Sequence, residues 1–266
     1  MGEPGPPGST KPSDEVALAG ARALVALVKH TNPSASTEAK RGWRIATASM
    51  VFRMADTVES MVALNEGKYA LDTLILLRAL YEQVVTFRWL AISPEKHIDA
   101  WGVAEFRWQL RLHKDSLAYG HLALSPAGVA AAERGIEQAA GKGANMPPLK
   151  KLAEEVDEHW GGRMIGFREP GASELADLLN FGGLYLGIYR IGSKAAHIEP
   201  ESLNAYLDRQ SYPVVVDEPV VEDDEAIWWS LAVPLYAQAL IVCNSVLKWP
   251  DLDAVLAVNN RMYGLD

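Results

Sequence analysis

The stretch LDTLILLRALYEQVVTFRWLAI, running from Leu71 to Ile92, decides the fold. A helix that is apolar on every face belongs in the interior of a multi-helix protein, since it has no solvated side to turn outward. Near its middle it carries Arg78 and Glu82, one turn apart. Ions are rarely buried in full unless they pair with each other or with groups from other segments, so this pair needs a partner inside the fold. A second polar island lies in the apolar segment around Leu184 to Ala196, where Tyr189, Arg190, Ser193, Lys194 and His197 fall together. The two islands are expected to face each other.

Outward from this stretch the chain reads as helix after helix. Asp14 to His30 is capped by Ser13 and stopped by Asn32-Pro33, and a longer helix runs from about Thr37 to Glu66, with Gly67 as its stop. The short turn that follows implies an antiparallel hairpin with the buried helix. Pro94 opens an amphipathic helix to about Tyr119, followed by weaker helices over Ser125 to Ala140 and Pro148 to Trp160. A helix from Ser173 to His197 and closing helices over Asp223 to Leu247 and Leu252 to Met262 complete the count. Only YPVVVDEPVV, residues 212–221, reads as extended. The expected fold is all-α, an antiparallel multi-helix bundle with a short irregular β-like segment near 212–221. Residues 1–12, rich in Gly and Pro, read as a disordered leader, and residues 13–266 as a single all-α domain.

Composition narrows the function. The formal charge of −9 denies the chain a global basic footprint for nucleic acid or anionic membrane, so any phosphate-binding patch must be local. The single cysteine, Cys243, lies in the apolar run ALIVCNSVL and reads as a core residue, a usage that fits the reducing cytoplasm. The first apolar run follows Asp14 and Glu15 and is interrupted by Arg22, unlike a signal peptide. The run from Leu231 contains Pro234, Gln238 and Asn244 and reads as a core helix, so no membrane association is expected.

Motifs remove further classes. His30, His97, His113, His121, His159 and His197 include no pair spaced three or four apart, so no metal site within one helix is expected; a haem, which needs a single ligand and no local signature, stays open, and no other cofactor is expected. The nucleophile-elbow and Cys–His patterns are missing, and GKGANMPP at 141–148 lacks the spacing of a phosphate loop. The polar islands remain. Arg190, Ser193 and His197 follow one another at steps of three and four, so an α-helix brings Arg190 and His197 within about 20° of each other and all three within about 60°. His197 has the chemistry of a general acid or base near neutral pH, and Arg190 that of a phosphate clamp. Equally, Arg78 and Glu82 can pair, and the Arg, Glu, Ser and His groups can form a closed network that fixes helix register without any ligand.

The run LLRALYEQVVTFRWL, followed some hundred residues later by YRIGSKAAH, resembles the all-helical family of unknown function DUF5677, over about Trp43 to Leu207. In helix order the pattern also looks like the wider HEPN class of helical proteins from bacterial defence and toxin systems. Many HEPN proteins are metal-independent endoribonucleases in which an Arg and a His a few residues apart meet at a homodimer interface and cleave RNA through its 2′-hydroxyl. That resemblance implies catalytic roles for His197, Arg190 and Glu82, with Arg78, Ser193, Lys194 and Tyr189 binding the ligand. The competing expectation is a non-catalytic binding or regulatory module, in which the same cluster braces the bundle or holds a small anionic ligand.

Overall fold

A computed structural model describes residues 14–31, 41–66, 70–120, 124–140, 145–160, 180–196, 207–208, 215–216, 225–247, 253–255 and 257–258. These are almost wholly helical, as the apolar periodicity requires. The order is α1 (Asp14–Thr31), α2 (Arg41–Glu66), α3 (Ala70–Ile92), α4 (Pro94–Ala118), α5 (Pro126–Ala140) and α6 (Leu149–Trp160). A composite helix follows, made of α7 (Phe181–Leu184), a π turn (Tyr185–Tyr189) and α8 (Arg190–Ala196), and α9 (Glu225–Leu247) comes last among the long elements. Leu207–Asp208 pairs antiparallel with Val215–Val216, so the extended segment expected at 212–221 is met at its valines. The leader at 1–12, the start expected at Thr37 and the end expected at His197 lie outside the described residues.

Local chemistry sets the boundaries. Pro94 occupies the first position of α4, where its missing N–H is no loss, and the Ser93 carbonyl accepts from the amides of Lys96 and His97 at 3.1 and 2.8 Å. The continuous helix expected from Ser173 fails at Asn180, which is extended, with φ −70° and ψ 157°, and caps a new helix instead.

The core forms around α3. Helix α2 runs against it, with Trp43 stacked on Phe87 at 5.9 Å and the Gln83 amide donating to Thr57 Oγ1 at 3.2 Å. Helix α9 packs on α1, α2 and α3, burying every residue from Ala232 to Leu240, and Trp229 Nε1 donates to Asn65 Oδ1 at 2.7 Å. The apolar run from Leu231 is thus a core helix, and no described helix is long and apolar enough to cross a membrane. Large side chains such as Tyr81, Phe87, Trp89 and Trp229 are almost wholly buried, each stabilising the fold by about 1.5–3 kcal/mol. Helix α6 and the composite helix close the remaining side of α3, which brings the two polar islands into contact.

Candidate functional site

Gly192 sets how closely α8 approaches α3. It is buried, and a Cβ there would stand 2.7 Å from Arg78 Cβ and 3.2 Å from the Leu74 carbonyl oxygen. With no side chain at this position, α8 lies directly on the Arg78 turn. Arg78 is half-buried; its guanidinium carbon sits 4.6 Å from the centroid of the Tyr189 ring, and Nη2 donates to the Tyr189 hydroxyl at 3.4 Å. That hydrogen bond is long, so the cation–π contact is the main attraction. Tyr185 stacks on Tyr189 at 5.0 Å and 16°. Both tyrosines belong to the π turn, a distortion that recurs at functional sites.

The expected Arg78–Glu82 pair is not made. Glu82 is exposed, and among the described residues no carboxylate pairs with Arg78, whose buried Nε has no hydrogen-bond partner. The physical reason is that Arg78 turns toward the Tyr189 ring while Glu82 stays in water, where a carboxylate is best solvated. Arg190 is exposed at the head of α8, and Ser193, one turn on, is half-buried. The side chain of Lys194 and all of His197 lie outside the described residues. Of the sequence-derived site, the structure therefore brings Arg78 and Tyr189 into contact, and sets Glu82 and Arg190 in solvent.

The fully buried cation of α3 is a different residue. Arg88 has no exposed surface; its Nη1 donates to Gln238 Oε1 of α9 at 2.5 Å, and its guanidinium carbon lies 5.2 Å from the Trp160 ring and 5.0 Å from that of Phe181. Its Nε and Nη2, and the neighbouring Trp160 Nε1, have no partner among the described residues. Burial pushes the Arg88 pKa down to about 10, against the opposing pull of the Asp157 carboxylate. Asp157 itself accepts from the backbone amides of Phe181 and Gly182 at 2.8 and 2.7 Å, while Asn180 Oδ1 accepts from Gly183 at 2.5 Å. Three free amides at the start of α7 are thereby satisfied. The Tyr81 hydroxyl donates to the Phe181 carbonyl at 2.6 Å, and burial, with Asp157 and Tyr185 adding to it, pushes its pKa upward.

This second cluster joins α3, α6, α7 and α9; Arg88, Tyr81 and Gln238 at its heart are buried, while Asp157 and Trp160 at its edge are half-buried, and its contacts brace the bundle. Sequence reasoning passed over Arg88, Asp157 and Gly192. One signal for Arg88 was available: its neighbours at three and four residues, Val84, Val85, Ala91 and Ile92, are all apolar, so it had no partner on its own helix. Arg78 had Glu82 within one turn. The arginine without a local partner was the one obliged to find its contacts across the core.

Among the described residues, no group of three or more His, Cys, Asp or Glu side chains is placed to hold a metal ion. No curated protein and no solved structure shows significant similarity to the chain. Residues 44–212 match the family model described as "Family of unknown function (DUF5677)", a span that takes in α3 with Arg78 and Arg88, α6 and the π turn, and the chain belongs to that family.

Proposed function

We propose that the chain is a HEPN-like helical module whose α3–π-turn face binds an anionic, phosphate-bearing ligand. One observation carries the reading: Arg78 is held against the Tyr189 ring with no carboxylate among the described residues to neutralise it, and Arg190, the residue after Tyr189, stands exposed. A cation fixed in place and lacking a counter-charge is prepared for an anion, because the ordering of its side chain is already complete before the ligand arrives. Single-stranded RNA is the ligand class to test. Fluorescence anisotropy with labelled RNA should give a dissociation constant weakened about tenfold or more by Arg78→Ala and by Arg190→Ala, each interaction being a charge-assisted hydrogen bond of about 1.5–3 kcal/mol. Unchanged affinity in both variants contradicts the proposal.

A more specific reading is favoured by the exposure of Glu82 and Arg190, which leaves both within reach of a substrate. In it the face is a metal-independent endoribonuclease site: His197 serves as acid–base, Arg190 holds the scissile phosphate, Glu82 is the acidic partner, and Ser193 and Lys194 line the groove. The protein would act in the cytoplasm, in a bacterial defence or toxin setting. Mixed RNA incubated in EDTA should then yield 2′,3′-cyclic phosphate ends with wild type and none with His197→Ala, at equal melting temperature. Binding without cleavage leaves the module non-catalytic.

A further inference from the structure

Helix α4 begins inside the bundle and ends outside it. Its inner stripe starts at His97, which is buried and stacked on Trp89 at 3.9 Å, and continues at helical steps through Ala104, Trp108, Arg111 and Asp115. Beyond Ala104 the stripe opens to solvent. Trp108, Leu112, Asp115 and Tyr119 follow at steps of four, three and four, placing them within about 60° of one another. Trp108 is 56% exposed, Leu112 44% and Tyr119 81%, and Arg111 is exposed beside Asp115. On the far side of the helix Phe106 packs on Gly135 of α5, so α4 is held as one wall of a hairpin with this face outward. Exposed apolar residues in a single stripe mark an interaction surface, and Trp, Tyr and Arg are the types enriched at the centre of such surfaces.

We infer that this face is a homodimer interface, in which α4 packs antiparallel on α4 of a second copy. The charge pattern selects the occupant. When two antiparallel helices are related by a two-fold axis at the level of His113, Arg111 of each copy comes level with Asp115 of the other, so one interface holds two opposite-charge pairs close to the axis, with Leu112 beside them and Trp108 and Tyr119 flanking. A surface of uniform negative charge, such as a nucleic acid, would satisfy Arg111 and repel Asp115. This interface differs from the one the HEPN resemblance implies, which lies at Arg190 and His197, and it stands independently of the proposed ligand.

Sedimentation equilibrium of the full chain over a range of concentrations tests it. Wild type should dimerise, and Trp108→Ser should shift it toward monomer. Arg111→Asp and Asp115→Arg should each weaken the dimer about tenfold or more, because like charges then face each other twice. The double variant R111D/D115R should restore the dimer to within about threefold of wild type while all three charge variants keep the wild-type melting temperature, which separates a pair meeting across the interface from one made within the helix. All three positions are exposed, so melting temperatures should hold; were Trp108→Ser to unfold, the charge series alone decides. A wild type that stays monomeric, a dimer indifferent to these changes, or a double variant weaker than either single one overturns the inference. So does a monomer whose RNA binding falls in Trp108→Ser, which would make the face a nucleic-acid contact.

Discussion

Helix α3 carries two arginines ten residues apart that meet opposite fates. Arg78 lies at the edge of the bundle against the Tyr189 ring, half in solvent and without a carboxylate among the described residues, while Arg88 is enclosed between α6, α7 and α9 with Gln238 as its acceptor and two aromatic rings beside it. Solvent access decides which of them can act on something outside the protein. A sealed guanidinium acts on the fold alone, because burial removes its access to ligand and makes its loss a loss of structure. A half-buried one fixed on a ring acts on the fold weakly and is available to an anion. The same residue type on the same helix is thus a brace at one end and a docking point at the other.

The comparison breaks first at Arg88. Arg88→Ala should lower the unfolding free energy by about 3–5 kcal/mol, since it opens a cavity, removes the donor to Gln238 and takes away the favourable field at Asp157. Arg88→Met fills most of the volume and removes the two unpartnered donors, so its loss should be smaller, about 1–2 kcal/mol. Urea denaturation measures both. If Arg88→Ala and Arg78→Ala destabilise equally, the distinction between brace and docking point fails.

Gly192→Ala comes next. Its Cβ would meet Arg78 Cβ at 2.7 Å, and one side must move. We expect a loss of about 1–3 kcal/mol together with weaker RNA binding, because the displaced turn carries Arg78. A variant as stable as wild type, with unchanged affinity, would show that α8 does not fix the Arg78 turn.

Alkaline pH sharpens the contrast within the interior. Burial pushes the Cys243 thiol from 9.0 up to about 12. The neutral thiol's contribution is fully present below pH 9.0 and declines as the pH rises toward about 12, since the unfolded chain releases this proton first. Arg88 has the opposite sign: its folded pKa of about 10 lies below 12.5, so its contribution improves as the pH rises across that window. Stability measured from pH 9 to 12 should therefore fall less steeply in Cys243→Ala than in wild type. An equal slope contradicts the assignment of Cys243 as a sealed thiol.

The smallest effect belongs to Tyr189→Phe. It removes a 3.4 Å hydrogen bond but keeps the ring under Arg78, so stability should change by less than about 0.5 kcal/mol. A larger loss would make the hydroxyl, not the ring, the anchor of Arg78.

Much of the fold was legible because its signals are local. Pro94 at the start of α4, the apolar periodicity of α2 and the unbroken apolar character of α3 each fix an element without reference to the rest of the chain. Contact between the segments of Arg78 and Tyr189 was also legible, since buried ions must meet something. Their partners were not. Glu82 looked like a natural mate for Arg78 by spacing, yet spacing cannot say which face of α3 the composite helix covers, and Glu82 lies in solvent. The π turn at Tyr185–Tyr189 escaped notice because its one-residue excess is set by packing, with Gly187 inside it and Gly192 just beyond. Asp157 was equally hidden: its value comes from two amides at Phe181 and Gly182, more than twenty residues away along the chain.

The most direct test measures binding and stability on the same samples. Labelled single-stranded RNA is titrated into wild type, Arg78→Ala and Arg88→Met, and each melting temperature is recorded without ligand. The account predicts that Arg78→Ala weakens binding about tenfold or more at a melting temperature near that of wild type, while Arg88→Met lowers the melting temperature and leaves the affinity of the folded protein within about twofold. Weak RNA binding in Arg88→Met with full affinity in Arg78→Ala would reverse the two roles and contradict it.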